Sequence, residues 1–165
     1  MPLTVSGERR HTTETRLSYD VAVTAPKDLL FKVFTGFHRT VYDLSKGKVA
    51  GKALGMPVLK LTTVGRKSGQ RRTTMLTSPL VEADDVILVA SFGGDDRHPA
   101  WYLNLVADPE VEIEIGGSKR LMRARVAEGE ERTRLWDAVT AVHDNYAGYQ
   151  RRTDREIPVV VLSPR

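Results

Sequence analysis

The 165-residue chain contains no cysteine. That removes disulfide scaffolds, thiolate nucleophiles and Cys-ligated zinc or iron–sulfur centres together. No apolar run approaches the ~18 residues of a membrane span, and the amino terminus lacks the charged-then-apolar pattern of a secretory signal. The spacing GxxxxGK[ST] of a P-loop is missing, as is the GxGxxG of a dinucleotide fold, which disfavours an ordinary ATPase or nicotinamide dehydrogenase. No Ser–His–acid spacing argues for hydrolysis, and no catalytic carboxylate pair is apparent. Asp95, Asp96 and His98 are too adjacent, with no second cluster to support them, so no metal is expected. Internal repeats and low-complexity tracts are absent too. The expectation is one domain in a reducing cytosol, with an ordinary hydrophobic content of 41%.

What the chain has is positive charge. Lys and Arg number 25 against 21 acids, a formal net charge of +4, and the pI is about 9.5. Such a balance favours anionic partners in general: a phosphorylated cofactor, nucleic acid or an anionic membrane face. The charge is most crowded in Gly65-Arg66-Lys67-Ser68-Gly69-Gln70-Arg71-Arg72, between two strand-like runs. Gly65 and Gly69 allow a sharp reversal, and Ser68 and Gln70 add neutral hydrogen-bonding groups. Like charges held this close repel unless an anion lies among them, so the turn is suited to phosphate or carboxylate. A solvated hairpin turn that is merely basic is the plain alternative.

In chain order, residues 1–25 are polar and can bury little, and read as an arm. Residues 26–50 follow as an amphipathic helix, with Leu30, Val33, Phe34, Phe37, Val41 and Leu44 at helical spacing and lysines and arginines away from them. It packs on the core or a second subunit, touches an anionic membrane through residues 26–46, or forms a lid over the site. Residues 51–165 form the main domain. Strands are expected at 56–64, 70–81, 86–91, 111–115, 122–126 and 157–162, with a short helix at 99–106 and one continuous helix from 128 to about 150. Six antiparallel strands of this length, interrupted by two helices, suit an α+β fold built on a small closed or partly open barrel.

Two further segments invite chemistry. Residues 91–102 leave a buried strand through Gly93 and Gly94 and enter a helix carrying Trp101 and Tyr102, a common kind of ligand site; a connector with a core Trp101 is the alternative. His143, Tyr146 and Tyr149 share one face if the helix continues that far, and either donate a proton, stack on a ring or close the core. Arg151, Arg152, Asp154, Arg155 and Glu156 read as a solvated surface. The residues alone leave two classes open, a cofactor enzyme and a nucleic-acid-binding barrel.

Three ordered motifs carry a resemblance. They are Leu61-Thr62-Thr63-Val64-Gly65-Arg66-Lys67-Ser68-Gly69-Gln70-Arg71-Arg72; Ala90-Ser91-Phe92-Gly93-Gly94 followed by His98-Pro99-Ala100-Trp101-Tyr102-Leu103-Asn104-Leu105; and Tyr149-Gln150-Arg151-Arg152-Thr153-Asp154-Arg155-Glu156-Ile157-Pro158-Val159-Val160. Over residues 51–165 the chain resembles the deazaflavin-dependent nitroreductase family, actinobacterial reductases that use coenzyme F420. The resemblance implies a split β-barrel related to flavin-mononucleotide-binding oxidases. It also implies hydride transfer from reduced deazaflavin to a small-molecule acceptor, a quinone, nitroaromatic or activated enone. F420 carries a phosphate and a polyglutamate tail, which the basic turn would hold. By position, Arg66, Lys67, Ser68, Arg72, Thr73, Thr74, Met75, Leu76 and Thr77 would line phosphate and deazaflavin. Val89, Ala90, Ser91, His98, Pro99, Ala100, Trp101 and Tyr102 would close the other side, with Tyr146 over the ring. Ser91 and Tyr146, then Tyr149, are the expected catalytic residues.

Thr77 and His143 stand where the best-known member has tyrosines, and Phe92 where lysine is usual. The expectation is further a cytoplasmic protein, free or peripheral at the inner face of the membrane, monomeric or homodimeric, with no nucleic-acid partner. The alternatives are a flavin-mononucleotide-binding reductase and a non-catalytic barrel that binds nucleic acid or stores cofactor.

Overall fold

The computed structural model describes residues 52, 53 and 55–165. The expected arm and amphipathic helix lie outside them. Eight strands form one antiparallel sheet: β1 (Lys52–Ala53), β2 (Met56–Val64), β3 (Arg71–Thr77), β4 (Leu80–Glu82), β5 (Asp85–Val89), β6 (Glu110–Ile115), β7 (Ser118–Val126) and β8 (Val159–Pro164). A 3-10 turn at Phe92–Gly94 precedes helix α1 (Ala100–Ala107), and α2 (Gly129–Val142) and α3 (Asn145–Gln150) fill the interval between β7 and β8.

The strand order β1-β2-β6-β7-β8-β5-β4, with β3 also on β2, explains the shape. β3 lies at one edge of the sheet and β4 at the other, yet only Ser78 and Pro79 separate them in sequence. Two residues span at most about 10 Å, so the sheet must curl until its edges nearly meet. Ser78 fastens the seam: its N–H donates to Pro57 O at 2.9 Å, and its Oγ lies 2.8 Å from Leu80 O and 2.9 Å from Ile87 O. The expected strand over 70–81 is therefore two strands, broken where the chain changes edges at a residue that cannot donate to a ladder.

Directly paired residues share a face. Leu59 and Leu61 face Leu76 and Thr74 on β3, and Ile115 and Ile113 on β6. They turn inward to a core that includes Met122, Leu88, Val160 and Leu162, with Trp101 and Leu105 of α1. Ile87, Val159 and Val161 turn outward to Leu135 and Val139 of α2 and Tyr146 of α3. β8 is apolar and buried from Val159 to Leu162 because both its faces are covered there.

The helix expected over 128 to about 150 is interrupted. His143 leaves helical geometry at φ −133°, ψ 80°, after donating its N–H to Val139 O, and α3 restarts at Asn145. His143 therefore does not share one helix face with Tyr146 and Tyr149, although its ring meets that of Tyr146 edge-on at 6.4 Å.

Candidate active site

The basic turn is the β2–β3 hairpin loop. Gly65 donates to Gln70 O at 2.8 Å and accepts from Gly69 N at 2.7 Å. A Cβ at Gly65 would lie 2.8 Å from Ser68 Oγ, and Gly69 has φ 66°, so both positions favour glycine. Asn104 of α1, buried among apolar neighbours, braces this loop: its Oδ1 accepts from Arg66 N at 3.2 Å and Arg66 Nη1 at 3.4 Å, while its Nδ2 donates to Thr63 Oγ1 at 3.2 Å.

The four cations then divide. Arg71 donates to Glu112 of β6 at 3.0 Å, and Arg72 donates to Gln70 Oε1 at 3.1 Å. Among the described residues, Arg66, Lys67 and Arg72 have no carboxylate partner, and all three are exposed with Ser68. Three cations on and beside a braced loop, without a carboxylate partner among the described residues, fit a phosphate or polycarboxylate group of a cofactor.

β3 carries Thr73, Thr74, Met75, Leu76 and Thr77, all half-buried. Leu76 packs on the inner core, and Thr73 Oγ1 meets Thr62 Oγ1 at 3.0 Å. Thr77 reaches Tyr146 of α3. Burial pushes the Tyr146 hydroxyl above the usual tyrosine range, with the Thr77 hydrogen bond opposing it. That hydroxyl also lies 3.7 Å from Met56 Sδ. Tyr149 meets Tyr146 edge-on at 5.9 Å, and Arg152 sits over the Tyr149 ring at 5.5 Å.

β5 delivers Val89, Ala90 and Ser91. Ala90 is fully buried in the inner core, and Val89 packs on the outer one. Ser91 begins the 3-10 turn, half-buried. Gly94 is pressed against α3 so closely that a Cβ would meet Tyr149 O at 2.6 Å. The residue that shapes this turn is Arg155, assigned to the solvated surface by sequence. Its Nη2 donates to Ala90 O at 3.1 Å and Ser91 O at 2.8 Å, its Nε donates to Asp95 O at 2.8 Å, and its Nη1 is buried without a hydrogen-bond partner among the described residues. Thr153 Oγ1 donates to Asp96 at 2.7 Å. A charge run gives no sign of which member turns inward; that is settled by Gln150, whose Nε2 holds Arg155 O at 2.8 Å and whose Oε1 accepts from Ile157 N at 2.9 Å.

The remaining predicted residues fall elsewhere. Trp101 belongs to the inner core, Pro99 is buried, and Ala100 is exposed. His98 and Tyr102, their rings 4.9 Å apart, line a cleft of about 430 Å³ with the first turn of α2 and Pro158. Burial, then the Arg155 charge, lowers the His98 pKa. The structure thus brings together Thr77 and Tyr146, and sets the Ser91 turn against α3 beside Tyr149. It holds His98 and Tyr102 in a cleft that no hairpin residue lines. Asn104 and Arg155 are the organising residues that sequence reasoning missed; Asn104 had left one signal, a polar residue inside an apolar helical run.

The chain is similar to known proteins over most of its length. A family model described as F420H(2)-dependent quinone reductase matches residues 36–164. A protein of Mycobacterium tuberculosis named F420H(2)-dependent quinone reductase is 41% identical over 132 residues, spanning 78% of this chain and 88% of that protein. A solved structure titled as an F420-H2 dependent reductase superposes with a TM-score of 0.58 at 39% identity, covering 65% of this chain and 94% of its own. Another, described as a domain-swapped dimer, gives a TM-score of 0.61 at 34% identity, covering 84% and 100%. The chain belongs to the F420H(2)-dependent quinone reductase family.

Proposed function

We propose that this protein reduces a small electron-poor acceptor, a quinone first, with hydride from reduced F420, and that nitroaromatics and activated enones are secondary acceptors. The observation that carries this reading is the braced hairpin with three cations, Arg66, Lys67 and Arg72, that face no carboxylate among the described residues. Reduced F420, when bound, supplies the hydride. The chain's part is to hold its acidic groups at the hairpin, to line the ring with β3 and the Ser91 turn, and to keep water from the reacting atoms. Tyr146, buried and held protonated by its surroundings, retains a proton at neutral pH that can be given to an acceptor oxygen. Ser91 offers a hydroxyl at the end of β5.

Thr77 touches the Tyr146 hydroxyl, and on this reading it borders the acceptor, where its small side chain would leave room for a broad one. A tyrosine there should narrow the range, lowering kcat/KM for bulky quinones more than for small ones; an unchanged preference would count against the role. The reading is tested by mixing the protein with reduced F420 and a panel of quinones, nitroaromatics and enones, and following reappearance of oxidised cofactor by absorbance. Single-stranded DNA and FMN serve as competing ligands. Oxidation dependent on protein and quinone supports the proposal; tight FMN or DNA binding without F420 oxidation defeats it.

A further inference from the structure

The turn after β5 has a backbone geometry that the roles above leave unused. Ser91 is right-handed, at φ −69° and ψ −38°. The next three residues all have positive φ: Phe92 at 48°, Gly93 at 67° and Gly94 at 82°. A right-handed residue followed by a left-handed one turns successive N–H groups toward a common point, making a concavity for an anionic oxygen. Glycine adopts such a φ freely, but Phe92 does so only because its surroundings enforce it.

Arg155 does the enforcing from the carbonyl side. It donates to the carbonyl oxygens of Ala90 and Ser91, which belong to the two peptide groups whose N–H groups are those of Ser91 and Phe92. A guanidinium at the oxygen end of a peptide polarises it and strengthens the N–H at its other end. The Ser91 N–H donates to no described residue, and Ser91 and Gly93 are only half-buried.

We infer that the Ser91–Gly93 backbone is an oxyanion hole for a carbonyl oxygen that gains negative charge during hydride transfer, and that Arg155 is its positioning residue. This rests on the proposed reduction of a quinone by F420. Hydride carries two electrons from the reduced cofactor, whose C–H bond breaks, to one quinone oxygen, where an O–H bond forms; both C=O π bonds become C–O single bonds as the ring becomes aromatic, and the second oxygen carries the negative charge of the hydroquinone anion. One proton, from Tyr146 or solvent, completes the hydroquinone, and the cofactor is left oxidised. The hole lowers the energy of the charged oxygen before that proton arrives. The pyrimidine carbonyls of the deazaflavin share this chemistry, and the measurements below separate the two sources.

The φ of Ser91 is one that proline adopts, so Ser91→Pro deletes the N–H with little change of path, and Ser91→Ala is the reference that deletes only the hydroxyl. F420 affinity, melting temperature and steady-state kinetics are measured for both, with Arg155→Lys and Arg155→Gln. The quinone series varies the acidity of the product hydroquinone. We expect Ser91→Pro to melt near Ser91→Ala, to keep its F420 affinity and to lose about 10²–10³-fold more in kcat, the usual effect of removing one such donor. Arg155→Gln should steepen the dependence of rate on hydroquinone acidity, with Lys restoring part of the loss; a purely structural role would lower all quinones alike. Loss confined to F420 affinity assigns the hole to the deazaflavin and overturns the quinone assignment. Equal behaviour of Ser91→Pro and Ser91→Ala, or, should Ser91→Pro fail to fold, a uniform loss in Arg155→Gln, overturns the hole itself while wild-type F420 oxidation still stands. Absence of F420 oxidation by the wild type instead removes the reading on which it rests.

Discussion

Arg71 and Lys67 carry the same charge on one hairpin, but Arg71 is spent on Glu112, which Lys119 also approaches at 3.6 Å, whereas Lys67 faces no described carboxylate. Lys67→Ala should therefore weaken F420 binding about tenfold, and Arg71→Ala much less, with the difference shrinking as salt rises; titration of cofactor fluorescence at two ionic strengths checks both. His98 predicts a pH effect. Its folded pKa lies below the ordinary histidine value of 6.5, burial first and the Arg155 charge second. Its contribution to stability is thus present above pH 6.5 and lost as pH falls through the lower folded value. Melting temperature should decline on acidification below pH 6.5, and His98→Gln should flatten that part of the curve. Tyr146 has the opposite sign: its folded pKa is raised above 10.0, chiefly by burial. Its contribution is complete below pH 10 and is lost as pH rises through the folded value, so Tyr146→Phe should blunt alkaline unfolding while slowing turnover at neutral pH.

At the scale of elements, the hairpin and α1 act as one unit through Asn104. Asn104→Leu removes the partner of Thr63 Oγ1 and of the Arg66 N–H, a loss of about 1–3 kcal/mol when buried polar groups go unmet. Chemical denaturation should show that loss, and hydrogen exchange should quicken at Arg66 before the strands of the inner core. Both the basic turn and its two strands were visible in sequence, from alternation and from the glycines. The short Asn104 brace was not, because it joins residues 41 apart. The break between α2 and α3 was missed for a related reason. Helical spacing of Leu135, Val139 and Val142 continues smoothly toward Tyr146, but Tyr146 and Tyr149 have to reach Met56, Thr77 and the Ser91 turn rather than prolong the α2 axis. Asp144 and Asn145 are common helix-start residues and were the available local hint.

For the molecule as a whole, closure of the sheet depends on the seam at Ser78. Ser78→Ala would leave Leu80 O and Ile87 O without that donor and should cost about 1–3 kcal/mol, visible as a lower denaturation midpoint with the denaturant dependence unchanged. Alternation and turn spacing pointed to short antiparallel strands, because a period of two places Leu59, Leu61 and Ile113 on one face whatever lies beyond them, whereas curling of the sheet follows from the change of edge at Ser78 and Pro79. The concentration of cations likewise marked the hairpin before any contact was known. Tertiary structure decided which cations stay unneutralised, which arginine of the 151–155 run turns inward, and where His98 and Tyr102 face. Those outcomes depend on partners 38 to 65 positions away, and short-range sequence pattern holds no information about a charge until the strands that carry its counter-charge have been brought alongside.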